Sequence, residues 1–119
     1  MIATTLWFFL PAAVAGGALA AFHLRGRMPP WKLTVVHGLL AASGLGLLII
    51  AVADHSKLGW GHAIVFVFVA VASGGLLVLS FHLRGRRPPR VLIVGHALGA
   101  ATAVVLLLLY VLKIIPPSV

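Results

Sequence analysis

Charged residues divide the chain into four long apolar stretches. No Asp, Glu, Lys or Arg occurs in residues 1–24, 33–53, 58–83 and 91–112. Each stretch is long enough to cross the hydrocarbon core as a helix, which takes about 20 apolar residues. Polar and apolar positions do not alternate within them, as they would in the strands of a membrane barrel. The pattern predicts four transmembrane helices, at about residues 2–24, 31–53, 61–83 and 90–113.

The segments between these helices are short, so consecutive helices are expected to lie side by side and antiparallel. Two proline pairs, Pro29–Pro30 and Pro88–Pro89, stand where the second and fourth helices begin. A proline there costs no helical hydrogen bond. The 119 residues are therefore predicted to form one all-α integral membrane domain, a four-helix bundle.

One phrase occurs twice, 59 residues apart. FHLRGRMPPWKLTVVH begins at Phe22 and FHLRGRRPPRVLIVGH begins at Phe81. Of the 21 positions in residues 22–42, 14 are identical to the residue 59 positions later. The match predicts two tandem two-helix repeats, residues 1–57 and 60–116, with the same orientation in the membrane. They are expected to be related by a pseudo-twofold axis along the membrane normal.

Basic residues are concentrated at one end of the predicted bundle. Seven of the nine lie around the two repeated loops, at Arg25, Arg27, Lys32, Arg84, Arg86, Arg87 and Arg90. The positive-inside rule then places these loops in the cytoplasm and both termini outside, in the cell's inner (plasma) membrane. The formal charge of +8 is explained by these loop residues, which set the orientation in the membrane. Anionic lipids rather than nucleic acid are therefore the expected partners.

The chain contains no cysteine. This excludes covalent c-type haem, iron–sulfur clusters and thiolate metal sites. No nucleophile–base set is apparent either, so catalysis by the chain alone is not expected.

His37 and His96 are equivalent positions of the two repeats. Both lie about seven residues past the prolines, roughly 10 Å along their helices, and therefore within the inner leaflet. An imidazole in hydrocarbon must satisfy both ring nitrogens. One nitrogen is expected to donate to the carbonyl four residues back, that of Leu33 or Leu92. Two imidazoles that meet at one axis would suit axial ligation of a b-type haem iron between helices 2 and 4.

The surroundings of these histidines fit that interpretation. The haem propionates would pair with the basic loops, at Arg25, Arg27, Arg84 and Arg86. Small residues would make room for the macrocycle, at Gly38, Ala41, Ala42, Gly95, Gly99 and Ala100. His23 and His82 are secondary candidates for cofactor binding, or else interfacial residues that end a helix.

The combination of His37, His96 and the basic loops resembles the small four-helix membrane subunits of respiratory enzymes that carry b-type haem between histidines of different helices. The resemblance implies a haem b cofactor and one-electron transfer within a larger assembly, to or from quinone or a partner subunit.

Other interpretations remain open. The chain would be a haem-free accessory subunit if His37 and His96 bonded to each other or to Thr34. Its small-residue stripes would then serve helix packing and contact with other membrane subunits. Small multidrug transporters have a similar length, but they depend on an embedded acid that the first helix lacks. A copper or zinc site is a further alternative. It would have to be built from His23, His37, His82 and His96, because no carboxylate or thiolate completes the set of ligands. His55 and His62 are expected to be loop or interface residues on the outer side.

Overall fold

The computed structural model describes residues 2–54 and 59–115, and all regular structure within them is helical. A single 3₁₀ turn leads into four α-helices. Their bounds are Leu6–Leu24 (α1), Trp31–Ala53 (α2), Trp60–Leu83 (α3) and Arg90–Val111 (α4). All four spans are long and apolar enough to cross a membrane. The all-α, four-helix architecture predicted from the sequence is therefore confirmed for the described residues, and the four candidate spans indicate a multi-pass membrane protein. Relative to the predicted bounds, α1 begins four residues later, after the 3₁₀ turn Ile2–Thr5. α3 begins one residue earlier and α4 ends two residues earlier.

The repeated sequence FHLRGR forms the same helix end twice. Gly26 and Gly85 have positive φ angles of 73° and 66°. At the end of α1 the Arg27 N–H donates to the Phe22 carbonyl (2.9 Å) and the Gly26 N–H donates to the His23 carbonyl (3.0 Å). The same two bonds, at the same distances, form at the end of α3. This is the Schellman arrangement, in which glycine accepts a left-handed backbone that other residues adopt at a cost.

The four helices form a ring in chain order. α1 packs most extensively against α2, and α3 against α4; contacts of α1 with α4 and of α2 with α3 close the ring. The bundle measures 44 × 23 × 21 Å. As a consequence, α2 and α4 occupy opposite corners, and a side chain from each can meet its counterpart at the centre of the bundle.

The tightly packed core lies in the half of the bundle away from the FHLRGR ends. Its centre is a stack of Phe9 on Phe68, with ring centroids 4.1 Å apart and an interplanar angle of 18°. Leu48 and Leu107 are almost completely buried beside it. Many large apolar side chains instead point outward, Phe66 and Leu98 among them. Such an apolar exterior is expected of a bundle whose solvent is lipid.

Candidate functional site

The other half of the bundle contains a partly open cavity of about 350 Å³, lined by all four helices. Phe9 and Phe68 bound it toward the packed core, and its lining extends to the last turns of α1 and α3. The lining is apolar except for five side chains: His23, Thr34, His37, His82 and His96. A volume of a few hundred Å³ with few polar groups is typical of a pocket for a small molecule or cofactor.

His37 and His96 enter this cavity from opposite corners of the bundle. Their ring centroids are 6.3 Å apart and the rings are perpendicular, at 89°. The Nδ1 of His37 lies 2.7 Å from the carbonyl oxygen of Ala12. The Nδ1 of His96 lies 2.9 Å from the carbonyl oxygen of Val71. Each imidazole is thus anchored to the backbone of the preceding helix.

These bonds differ from the ones expected from the sequence. The acceptors belong to a neighbouring helix and are not the carbonyls of Leu33 and Leu92, four residues back. Within the described part of the chain, the two imidazoles also do not hydrogen-bond to each other or to Thr34. The carbonyl of an interior helical residue is normally used within its own helix, so these two carbonyls accept an additional bond.

The backbone bond determines what the other ring nitrogen can do. A carbonyl only accepts, so Nδ1 carries the proton, and the Nε2 of a neutral imidazole is then left with a free lone pair. Among residues 2–54 and 59–115, no hydrogen bond is formed by the Nε2 of His37 or His96. This is the state in which histidine binds a metal ion, with the opposite N–H fixed by a backbone group.

A glycine lies directly beneath each imidazole. A Cβ atom added to Gly16 would stand 2.8 Å from Cε1 of His37, and one added to Gly75 would stand 2.8 Å from Cε1 of His96. Each glycine is four residues after the acceptor carbonyl, and positions i and i+4 share one face of a helix. The imidazole therefore lies across the glycine and reaches the carbonyl one turn earlier, which any larger residue would obstruct.

The small-residue stripes of the sequence were expected to serve helix packing, and neither glycine stands out among them. A signal was nevertheless present, because Gly16 and Gly75 are themselves 59 residues apart, as are Phe9 and Phe68. Their equivalence lies outside the continuous match of residues 22–42, where isolated identities are easily overlooked.

His23 and His82 line the same cavity at the ends of α1 and α3. The cavity lining contains no arginine from the described residues. Arg84 is engaged with its own helix: its Nε donates to the Ser80 carbonyl at 3.1 Å, and its guanidinium lies 4.8 Å from the centre of the Phe81 ring. The other proposed propionate partners are exposed, at Arg25, Arg27 and Arg86.

Only some of the small residues expected to make room for the macrocycle line the cavity. The ones that line the cavity are Gly38, Ala41, Ala42 and Ala100. Gly95 and Gly99 are not among the lining residues. A Cβ added to Gly99 would instead approach Val71 at 3.1 Å.

Thr34 contributes the one hydroxyl of the cavity lining. Its Oγ1 is buried and has no hydrogen-bond partner. It lies three residues before His37 and therefore on the same side of α2.

The residues that the structure describes form no conventional metal centre. Within the described residues, no three His, Asp or Glu side chains come together as a metal-binding group. The four histidines of the cavity thus do not make the shared copper or zinc site considered from the sequence. His62 lies at the start of α3, at the other end of the bundle, and His55 lies outside the described residues.

No protein-family model, no characterised protein and no solved structure matches this chain. Its function is therefore argued from the geometry of the cavity.

Proposed function

We propose that this chain is a b-type cytochrome subunit of a membrane complex, with haem b held between His37 of α2 and His96 of α4. The observation that carries the proposal is the pair of backbone-anchored imidazoles, 6.3 Å apart, within one apolar cavity. When bound, haem b supplies a one-electron redox couple within the bilayer.

The separation of the imidazoles fits two axial ligands. A histidine nitrogen binds a metal ion at about 2 Å, so two imidazoles on opposite sides of one ion have centres on the order of 6 Å apart. The perpendicular ring planes are compatible with this, because two imidazole planes can both contain the line through one ion at any angle to each other.

The remaining residues of the site support the two ligands. The carbonyls of Ala12 and Val71 fix the tautomer and the orientation of the rings, and the glycines beneath hold them in place. Hydrogen bonding of a ligand histidine to a carbonyl also raises its basicity. The lining is mostly apolar, and the stack of Phe9 on Phe68 lies between the site and the packed half of the bundle.

We propose that the chain consists of two tandem repeats, residues 1–57 and 60–116, related by a pseudo-twofold axis along the membrane normal. Support comes from contacts between residues 59 positions apart: Phe9 stacks on Phe68, and His37 faces His96. Both histidine bonds also join residues 25 positions apart. Such an axis would pass between each of these pairs.

The proposed orientation follows from charge. The arginine-rich loops would face the cytoplasm and both termini the outside of the inner (plasma) membrane. The exposed apolar faces are available to lipid and to other membrane subunits, and the basic loops to anionic headgroups. Electrons would pass to or from quinone or a neighbouring subunit.

A second candidate is a haem-free accessory subunit that stabilises a larger membrane complex. It is favoured by one observation: perpendicular rings 6.3 Å apart are also within the range of a direct edge-to-face aromatic pair. In this case the two histidines would only tie neighbouring helices together.

Absorbance of the purified protein distinguishes the two candidates. A cytochrome shows a Soret band and sharp reduced α and β bands, and His37→Ala and His96→Ala abolish them. His62→Ala, at the other end of the bundle, is the matched control and leaves the spectrum unchanged. A colourless wild-type protein that copurifies with a large complex, when expressed with haem in excess, would support the accessory subunit.

A further inference from the structure

We infer that His23 and His82 hold the two carboxylates of the ring ligand, a role that the charge pattern had assigned to the arginines. The inference rests on the proposed function and names the residues that recognise the anionic end of the ligand. It starts from the lining of the cavity, which includes both histidines and, among the described residues, no arginine.

The positions of His23 and His82 along the bundle are suitable for binding the two carboxylates. His23 follows Gly16 by seven residues on α1, so it lies about 10 Å nearer the arginine loops than the imidazole of His37 that rests on this glycine. Residues seven apart share a face of a helix, so His23 faces the same cavity as Gly16. His82 and Gly75 have the same relationship on α3.

The arrangement matches the shape of a protoporphyrin. Both of its carboxylates leave the same edge of the ring, so their partners must lie on one side of the iron ligands. His23 and His82 do lie on one side of His37 and His96, toward the arginine loops. They come from α1 and α3, which occupy opposite corners, so that each provides one partner.

The chemistry also requires donors at this end. A carboxylate taken out of water is costly unless it is hydrogen-bonded. Apart from the hydroxyl of Thr34, the rest of the lining nearby is apolar, as at Leu19, Leu76 and Leu79. An imidazole N–H forms a charge-assisted bond to a carboxylate. Arg84 is directed to Ser80 and Phe81 instead, and the exposed arginines contribute a positive potential at the opening.

The test compares binding of iron protoporphyrin with binding of its dimethyl ester, in which both carboxylates are blocked. The haem-free protein, made under haem limitation and held in detergent micelles, is titrated with each and followed by absorbance. We expect the wild-type protein to prefer the free acid by on the order of tenfold per carboxylate. The double variant His23→Leu, His82→Leu should bind both forms equally while keeping the ligand bands that report His37 and His96.

Two further variants make the outcome specific. His23→Gln with His82→Gln retains an N–H donor and should restore part of the preference. Arg25→Gln with Arg84→Gln should leave most of it. The inference is overturned if the leucine variant keeps the full preference, if the arginine variant loses it, or if the wild-type protein binds acid and ester alike. Failure of the wild-type protein to bind either form would refute the proposed function itself, and the inference with it.

Discussion

The imidazoles of His37 and His96 stand perpendicular, 6.3 Å apart, on helices at opposite corners of the bundle. Each is held by a backbone carbonyl 25 residues earlier in the chain. Two rings fixed in this way each keep a second nitrogen, Nε2, without a hydrogen bond to the described residues, inside a mostly apolar cavity. Positioning of this kind is what a redox cofactor needs, because a ligand that moves between oxidation states adds a reorganisation cost.

Substitution of the glycine beneath either imidazole should disturb the proposed haem site. In Gly16→Ala or Gly75→Ala the new methyl group would stand 2.8 Å from a histidine ring, so the ring or the helix must move. We expect a loss of about 1–3 kcal/mol in the free energy of unfolding, together with broadened or shifted haem bands. Thermal unfolding in detergent and absorbance of the reduced protein measure the two effects.

The neighbouring glycines are matched controls for this substitution. A Cβ added to Gly17 meets nothing within 4 Å, and one added to Gly74 makes only an ordinary van der Waals contact with Nδ1 of His96, at 3.7 Å. Gly17→Ala and Gly74→Ala should leave the haem bands in place. Equal effects at all four positions would show that the glycines serve helix packing in general rather than the histidines.

The aromatic stack should matter more than an exposed phenylalanine on the same helix. Phe68 is 6% exposed and packs on Phe9, whereas Phe66 is 70% exposed. Phe68→Ala leaves a hole between the cavity and the core and should cost about 3 kcal/mol. Phe66→Ala loses mainly contact with lipid and should be nearly neutral. The free energies of unfolding of the two variants are compared in mixed micelles. A Phe68→Ala variant as stable as the wild-type protein would contradict the placement of Phe68 in the core.

The glycines of the two helix caps should tolerate substitution poorly. Gly26→Ala and Gly85→Ala place a Cβ on a residue with φ near +70° and should each cost about 1 kcal/mol. Gly46→Ala, at a helical site with open space around it, is the control and should be neutral or stabilising. If thermal unfolding shows no difference between cap and helix, the left-handed turn does not depend on glycine.

The proposed orientation can be tested with single cysteines, because the chain has none of its own. Met28→Cys lies in the loop between α1 and α2 and changes no charge; Ile114→Cys lies just after α4. Both side chains are exposed, at 39% and 66%. A membrane-impermeant thiol reagent added to intact cells should label Ile114→Cys only, and in inverted vesicles Met28→Cys only. The reverse pattern would overturn the topology.

The helices were predictable from the sequence because Arg25, Asp54 and Arg84 mark their ends, and charges do not enter the hydrocarbon core. The meeting of His37 and His96 was expected from the 59-residue repeat, which places both at the same depth.

The partners of these histidines were not predictable in the same way. The sequence directed attention to Leu33 and Leu92, within the same helix, whereas the bonds reach Ala12 and Val71 on another helix. Which carbonyl comes within reach depends on the axial register between helices, and that register depends on how closely Gly16 and Gly75 allow them to approach. The repeated sequence FHLRGR also carries more information than was predicted from it. Its charges were used to predict the orientation, but the same residues specify a helix cap.

The most direct measurement is low-temperature electron paramagnetic resonance of the purified ferric protein, with haem and chain quantified in the same sample. We expect a low-spin ferric signal from about one haem per chain, as two nitrogen ligands produce. Loss of either ligand, in His37→Ala or His96→Ala, should convert the remaining haem to high spin or release it. A high-spin signal in the wild-type protein, or a low-spin signal that survives in both variants, would contradict the claim that these two imidazoles bind one iron.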